Sequence, residues 1–137
     1  MTQYVGIRAT TVTTGTPTAA SSIAATAVVV NTVTVPAVPY PTLQTCHSSN
    51  FQTLTVTTDA FDSDLRTAAS GTATVGQVRS RRIGNGSSGG LSYAIRVPAN
   101  TAQVWQTLLY RSVGTGLGSS VADGTLNYLR VTAMPVA

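Results

Sequence analysis

Branching at the Cβ atom is the feature of this sequence that most restricts its fold. Threonine occupies 24 of the 137 positions and valine 17, and both residues lose side-chain freedom in a helix but pack well on a pleated sheet. Short apolar runs recur along the chain, separated by glycine, proline or asparagine, which is typical of strands and turns. The sequence therefore predicts a mainly β fold, an antiparallel β-sandwich or barrel with at most one or two short helices.

The domain organisation follows from length and from a change in composition. The chain is long enough for one domain with its own core. Residues 1–22 are mostly Thr, Ala, Ser and Gly, so we predict an extended N-terminal arm or a peripheral strand there, in which Tyr4 and Val5 bind a partner. Residues 23–137 are expected to form a single β domain.

Residues 73–97 contain two strand-like runs on either side of a loop rich in glycine and serine, residues 84–90. In the second run Leu91 and Ile95 belong to an apolar series that alternates with small or polar residues, the period of a strand with one face on a core. We interpret the whole stretch as one long β-hairpin. In its first arm Arg79 and Arg81 share a face, and Arg82 lies on the other.

Two catalytic or cofactor motifs match within that loop. Residues 84–89 fit G-x-G-x-x-G, but the dinucleotide site needs a helix directly after the motif, and here a strand pattern follows. Residues 86–90 fit G-x-S-x-G with Ser88 as the nucleophile, but that motif needs a histidine later in the chain, and the only histidine is His47. We therefore predict no cofactor site and no hydrolase.

Cys46 and His47 are the only residues of their types. Neighbouring side chains on a strand point to opposite faces, which is poor geometry for a catalytic dyad or a shared metal ion. A single cysteine also excludes a disulfide within the chain. We predict a buried Cys46 and a polar or interface His47, with no metal site.

Three of the four acidic residues, Asp59, Asp62 and Asp64, fall within six positions. The spacing and terminal glutamate of an EF-hand are absent, and aspartate favours turns and helix N-termini. We predict a short helix or turn over residues 63–70. A weak cation site, or pairing of these carboxylates with arginines of a neighbouring subunit, is the alternative.

Residues 101–113 fit two periodicities. Val104, Trp105 and Leu108 fall on one face of a helix, while Val104, Leu108 and Tyr110 also lie on one face of a strand. We favour the strand because the neighbouring segments are predicted to be β.

Charge narrows the range of functions. Only 9% of residues are charged, against about 25% in an ordinary domain, and the absence of lysine removes P-loop and Schiff-base chemistry. The net charge of +4 comes from arginine, which is typical of protein interfaces, whereas strong nucleic-acid binding needs many phosphate contacts. We predict that the protein is not an enzyme and that Arg79, Arg81 and Arg82 bind a protein partner; nucleic-acid contact and plain solvated charge are the alternatives.

Membrane insertion and export are not indicated. The most apolar run, residues 23–30, is shorter than a membrane span, and residues 1–18 lack the apolar core of a signal peptide. We expect the protein to be made in the cytoplasm.

In its β-rich, nearly uncharged composition without a secretion signal or catalytic set, the chain resembles bacteriophage virion structural proteins, especially small capsid decoration or cement proteins. The resemblance implies a homo-oligomer, with a trimer favoured, that is made in the host cytoplasm and binds the major capsid protein or another virion protein. The N-terminal arm would then suit strand exchange between neighbours. The alternatives are a receptor- or glycan-binding tail or fibre module with exposed Tyr and Trp beside the glycine loop, and a small coat protein that contacts nucleic acid through Arg79, Arg81 and Arg82.

Overall fold

The structure is a computed structural model that describes residues 9–69, 75–83 and 88–136. These residues form strands and no helix, which confirms the prediction of a mainly β fold. The strands are β1 (Thr11–Thr14), β2 (Ala20–Ile23), β3 (Val28–Val35), β4 (Thr42–Phe51), β5 (Thr53–Leu54), β6 (Ala60–Ala69), β7 (Val75–Ile83), β8 (Ser88–Val97), β9 (Gln103–Val113), β10 (Gly118–Ser120) and β11 (Tyr128–Pro135).

Eight of the strands form two four-stranded antiparallel sheets. One sheet has the order β1-β11-β4-β8 and the other β3-β9-β6-β7, while β2, β10 and β5 form a small third sheet. The pairs β6–β7, β4–β8, β3–β9 and β1–β11 are nested, each enclosing the previous pair in sequence. Nested pairing across two sheets defines a jelly roll, which confirms the predicted antiparallel sandwich.

The hydrophobic core lies between the two sheets in two clusters. The larger cluster contains the fully buried Trp105 of β9, with Leu65 of β6 on its own sheet and Cys46, Leu129 and Val131 of the facing sheet. The smaller cluster lies near the third sheet and consists of Ile23, Val30, Leu54, Phe61 and Leu109.

The predicted hairpin over residues 73–97 is wrong. β7 pairs with β6, and β8 pairs with β4 in the other sheet, so the chain changes sheets between Ile83 and Ser88. The alternation itself was informative, since Leu91 and Ile95 pack against the core. Alternation shows that a strand is half buried, but in a sandwich it does not identify the strand with which it pairs.

The predicted helix or turn over residues 63–70 is also wrong, because β6 runs through most of it; residues 70 and 71 lie outside the described ranges. β6 buries Phe61, Ser63 and Leu65, and its two aspartates face outward. Pairing with β7 on one side and β9 on the other satisfies its backbone, and this tertiary pairing outweighs the local preference of aspartate for helix starts.

The strand predicted over residues 101–113 is confirmed as β9, which pairs with β3 and β6. Trp105 is fully buried, so the expectation of an exposed tryptophan beside the glycine loop is wrong.

Part of the segment 1–22 is described. β1 pairs with β11 of the same chain, and β2 pairs with β10. Gly15 N also donates a hydrogen bond to Leu129 O at 2.9 Å. Residues 11–15 are therefore held as an edge of the first sheet within their own chain.

Candidate interaction surface

The central strand β4 has an unusual distribution of side chains. It buries Gln44, Ser48 and Asn50 and turns Leu43 and Phe51 toward the outer face of its sheet. This reverses the ordinary pattern of an antiparallel sheet that has one face in the core and the other in water.

The buried polar groups of β4 have hydrogen-bond partners inside the sandwich. Gln44 Oε1 accepts a bond from Trp105 Nε1 at 2.9 Å, and Asn50 Nδ2 donates to Ser63 Oγ. Both bonds join β4 to strands of the facing sheet. The polar inner face of β4 is thus part of the core, and its apolar residues are left for the outside.

The outer face of the sheet β1-β11-β4-β8 is called the neutral face below. Ladder partners share one side of a sheet, so the registers assign to it Val12, Thr14, Leu43, Thr45, His47, Ser49, Phe51, Gly90, Ser92, Ala94, Arg96, Tyr128, Arg130, Thr132 and Met134. Its charged members are two arginines, and it carries no carboxylate among these residues. Val12 and Met134 are 59% and 45% exposed, so the face is broad, largely uncharged and partly apolar.

A shallow polar hollow of about 210 Å³ lies on this face, lined by His47, Ser92 and Tyr128 among others. His47 is exposed, with Arg130 and Ser92 as its ladder partners. The Arg130 guanidinium lies 5.7 Å from the centre of the Tyr128 ring, a cation–π distance. The hollow therefore offers an imidazole, a hydroxyl and an aromatic ring, with a cation beside them.

Cys46 and His47 lie on opposite faces of β4, as their adjacency predicted. Cys46 is fully buried, and burial raises the pKa of its thiol to about 12. A thiolate is the reactive form of cysteine. Cys46 is thus confirmed as a buried core residue.

The outer face of the opposite sheet, called the charged face, is different in character. Asp62 Oδ1 is 3.4 Å from Arg82 Nε and accepts a hydrogen bond from Ser112 Oγ at 3.1 Å. Arg66 donates from Nε and Nη2 to Gln106 Oε1 at 3.0 and 2.8 Å. These charges are bonded within the chain, so this face is suited to contact with water.

The three clustered aspartates do not converge on one point. Asp59 is buried and accepts a hydrogen bond from Gly116 N at 2.5 Å, whereas Asp62 and Asp64 lie on the outer side of β6. Within the described ranges, no group of three or more His, Cys, Asp or Glu residues could hold a metal ion. The same part of the chain contains no helix long and apolar enough to cross a membrane.

Of the predicted partner-binding residues, only Arg82 has a described side chain. It is 64% exposed and belongs to the charged face. Arg79 and Arg81 have a described backbone in β7 but no described side chain, and Tyr4 and Val5 lie outside the described residues. Their roles remain predictions.

Sequence reasoning missed the neutral face. A signal was present, because Leu43 and Phe51 are an even number of positions apart and so share one side of a strand, while Gln44, Ser48 and Asn50 share the other. The facing tryptophan, which lies far away in sequence, determines which side is inward.

Comparisons with known proteins show the fold. No family model matches the chain, and no curated protein matches it. The chain is similar to the structure of Eiger TNF from S. frugiperda, with 8% identity and a TM-score of 0.56 over 95% of this chain and 96% of that one. Murine APRIL gives 9% identity and a TM-score of 0.50 over 92% and 100%. For the Gt strain of infectious bursal disease virus the values are 14% and 0.48, over 95% of this chain but 38% of that one.

Proposed function

We propose that the protein is a non-enzymatic structural component of a virion, a capsid decoration protein that associates with copies of itself and with the capsid through the neutral face. The observation that carries the proposal is the reversed strand β4, which buries Gln44, Ser48 and Asn50 while Leu43 and Phe51 face outward. A sheet face that places its apolar residues outside gains free energy when a second surface covers it.

The composition of the neutral face matches that of an interface core. Such cores are depleted in charge and enriched in aromatic residues, methionine and arginine, and this face has Phe51, Tyr128, Met134, Arg96 and Arg130 on it. Full burial of a side chain such as Met or Leu is worth about 1.5–3 kcal/mol. A few such side chains are enough to drive specific association.

Two further features support a virion role. The jelly roll is an architecture that viral capsid domains use, and the chain has very few charges for its size, which favours association over dispersal. The charged face, with its internal Arg82–Asp62 pair, would remain toward solvent in such an assembly.

Self-association is tested by sedimentation equilibrium of the wild type and of two variants of the neutral face, Leu43→Glu and Met134→Glu. We expect the wild type to form an oligomer, a trimer being favoured, and each variant to shift toward monomer with an unchanged circular dichroism spectrum. The matched control is Thr34→Glu, an exposed residue of β3 in the opposite sheet, which should keep the wild-type mass. A monomeric wild type, both alone and with particles, would contradict the proposal.

The virion role is tested separately by co-sedimentation of the purified protein with virus particles and by mass spectrometry of those particles. We expect wild-type protein to sediment with the particles and Leu43→Glu to remain in the supernatant. An oligomer that never accompanies particles would retain the interface but refute the decoration role.

The polar hollow favours a second candidate, a receptor- or glycan-binding module. A ring such as Tyr128 beside His47 and Ser92 combines an apolar surface with a few polar groups, as ligand sites do. Binding on a glycan array that is lost in His47→Ala, in a protein that does not bind particles, would favour this candidate.

Nucleic-acid binding through Arg79, Arg81 and Arg82 has less support. Arg82 is already paired with Asp62, and a face with carboxylates repels phosphate. A salt titration against DNA and RNA tests the possibility: each lost phosphate contact should lower the slope of log affinity against log salt by roughly one in Arg79→Ala/Arg81→Ala.

A further inference from the structure

The side of the sandwich where β1 and β3 lie differs from the opposite side in its edge protection. β7 and β8, the edges of the opposite side, contain four arginines, Arg79, Arg81, Arg82 and Arg96. β1 and β3 contain no charged residue and no proline. Charged side chains and prolines are the usual means by which edge strands avoid pairing with another chain, and this side lacks both.

The edge of β3 is partly occupied by its own chain, but that of β1 is not. Thr18 N donates a hydrogen bond to Val30 O of β3 at 2.8 Å. β1 is the terminal strand of its sheet, and among the described residues it pairs with β11 alone. One row of its backbone groups is therefore directed away from the sheet.

A pocket of about 200 Å³ opens beside this same edge. Thr11 and Thr13 of β1 line one side of it, and Val35, Val38 and Tyr40 line the other. The described lining contains no charged side chain, so an ionised group would enter without a counter-charge. The volume suits one aromatic ring or a branched aliphatic side chain, since an apolar cavity of about 150 Å³ holds benzene.

The far wall of the pocket is rigid before any ligand arrives. Three prolines, at positions 36, 39 and 41, restrict the backbone of the connection between β3 and β4. Asn100 N donates a hydrogen bond to Val38 O at 2.6 Å, and Val136 N donates to Pro41 O at 3.0 Å. A wall fixed in this way need not be ordered on binding, which reduces the entropic cost.

We propose that the edge of β1 and the adjacent pocket form a docking site for an extended, uncharged segment of a partner protein, which adds to the sheet as a strand and places one apolar side chain in the pocket. Strand addition obtains affinity from main-chain hydrogen bonds and specificity from pockets for alternate side chains. Both parts are present on the same four-residue strand. The site lies at an edge rather than on the neutral face, so it does not depend on the function proposed above.

The test is a titration, followed by amide chemical shifts, with the peptide acetyl-Thr-Val-Phe-Val-Thr-amide. We expect shifts confined to β1, to residues 35–40 and to the neighbouring part of β11. Replacing the central phenylalanine of the peptide by alanine should weaken binding about tenfold or more, because the apolar group no longer fills the pocket. A version of the peptide with methylated alternate backbone nitrogens tests strand pairing and should not bind.

Two variants of the protein complete the test. Thr13→Trp places a large ring at the pocket mouth and should abolish binding, whereas Thr14→Trp adds the same ring on the other side of the same strand and should leave it intact. No shifts up to the solubility limit of the peptide, or equal binding by both variants, would overturn the proposal. A change of oligomeric state in Thr13→Trp without peptide would also overturn it, because the occupant would then be a second copy of this chain.

Discussion

The hydrogen bond between Trp105 and Gln44 joins the two sheets through the core, and we expect it to contribute measurably to the free energy of unfolding. Trp105 Nε1 donates to Gln44 Oε1 at 2.9 Å, and Gln44 Nε2 donates to Thr42 Oγ1 at 3.3 Å. The tryptophan and the glutamine are 0% and 1% exposed. Water therefore cannot replace either partner once the other is removed.

Each single substitution leaves one buried polar group without its partner. Trp105→Phe leaves the carbonyl oxygen of Gln44, at a cost of about 1–3 kcal/mol, and also loses packing, for a total of about 2–4 kcal/mol. Gln44→Met leaves the indole N–H and should cost about 1–3 kcal/mol. The double variant has neither unpaired group, so it should be less destabilised than the sum of the singles by at least about 1 kcal/mol.

The assay is urea unfolding followed by circular dichroism, since substitution removes the only tryptophan as a fluorophore. All variants are compared at one protomer concentration, because association adds to apparent stability. Gln106→Met, the same change on the outer side of β9, is the matched control and should be additive with Trp105→Phe. Additivity of the Trp105–Gln44 cycle within about 0.5 kcal/mol would refute the reasoning.

Two further predictions concern the loop around Gly116 and the buried thiol. Gly116→Ala should lower the melting temperature, because its Cβ would lie 2.7 Å from Asp59 Oδ2 and 2.9 Å from Thr55 Oγ1, whereas Gly124→Ala, whose Cβ meets nothing within 4 Å, should not; equal melting temperatures would show that the loop moves freely. Since burial raises the pKa of Cys46 to about 12, its thiol stays protonated at pH 8, and Ellman's reagent should label it only as fast as the protein unfolds; immediate labelling of the native protein would contradict this.

The strand character of most segments was predictable because it is encoded locally. β-branched residues and the alternation around Leu91 and Ile95 identify strands without knowledge of their partners. Residues 103–113 were ambiguous because Val104 and Leu108 fit both a helix and a strand. The expected β neighbours decided the question, and the decision was correct.

The errors arose where pairing partners are distant in sequence. In β6 the polar residue Ser63 is buried, and it accepts a hydrogen bond from Asn50 of the facing sheet. No local rule anticipates this bond. The expected hairpin failed for a related reason, since β7 and β8 are neighbours in sequence but belong to different sheets.

The neutral face could not be derived from the sequence, because it depends on the register of four strands. Val12, Thr132, Thr45 and Ala94 form one row across it, although the first and second are far apart in the chain. The composition predicted an associating surface, but only the pairing assigns it to this sheet.

The position of β11 has a consequence for biosynthesis. β11 is an inner strand between β1 and β4, yet it is the last of the eleven to leave the ribosome. Until residues 128–135 emerge, β1 lacks its partner and one edge of β4 is open. Pairings as distant as Thr11 with Ala133 form slowly, and open edges of unfinished sheets aggregate. We therefore expect the yield of native protein to be limited in the nascent chain, where slower initiation or binding of a chaperone would help more than any stabilisation of the finished fold.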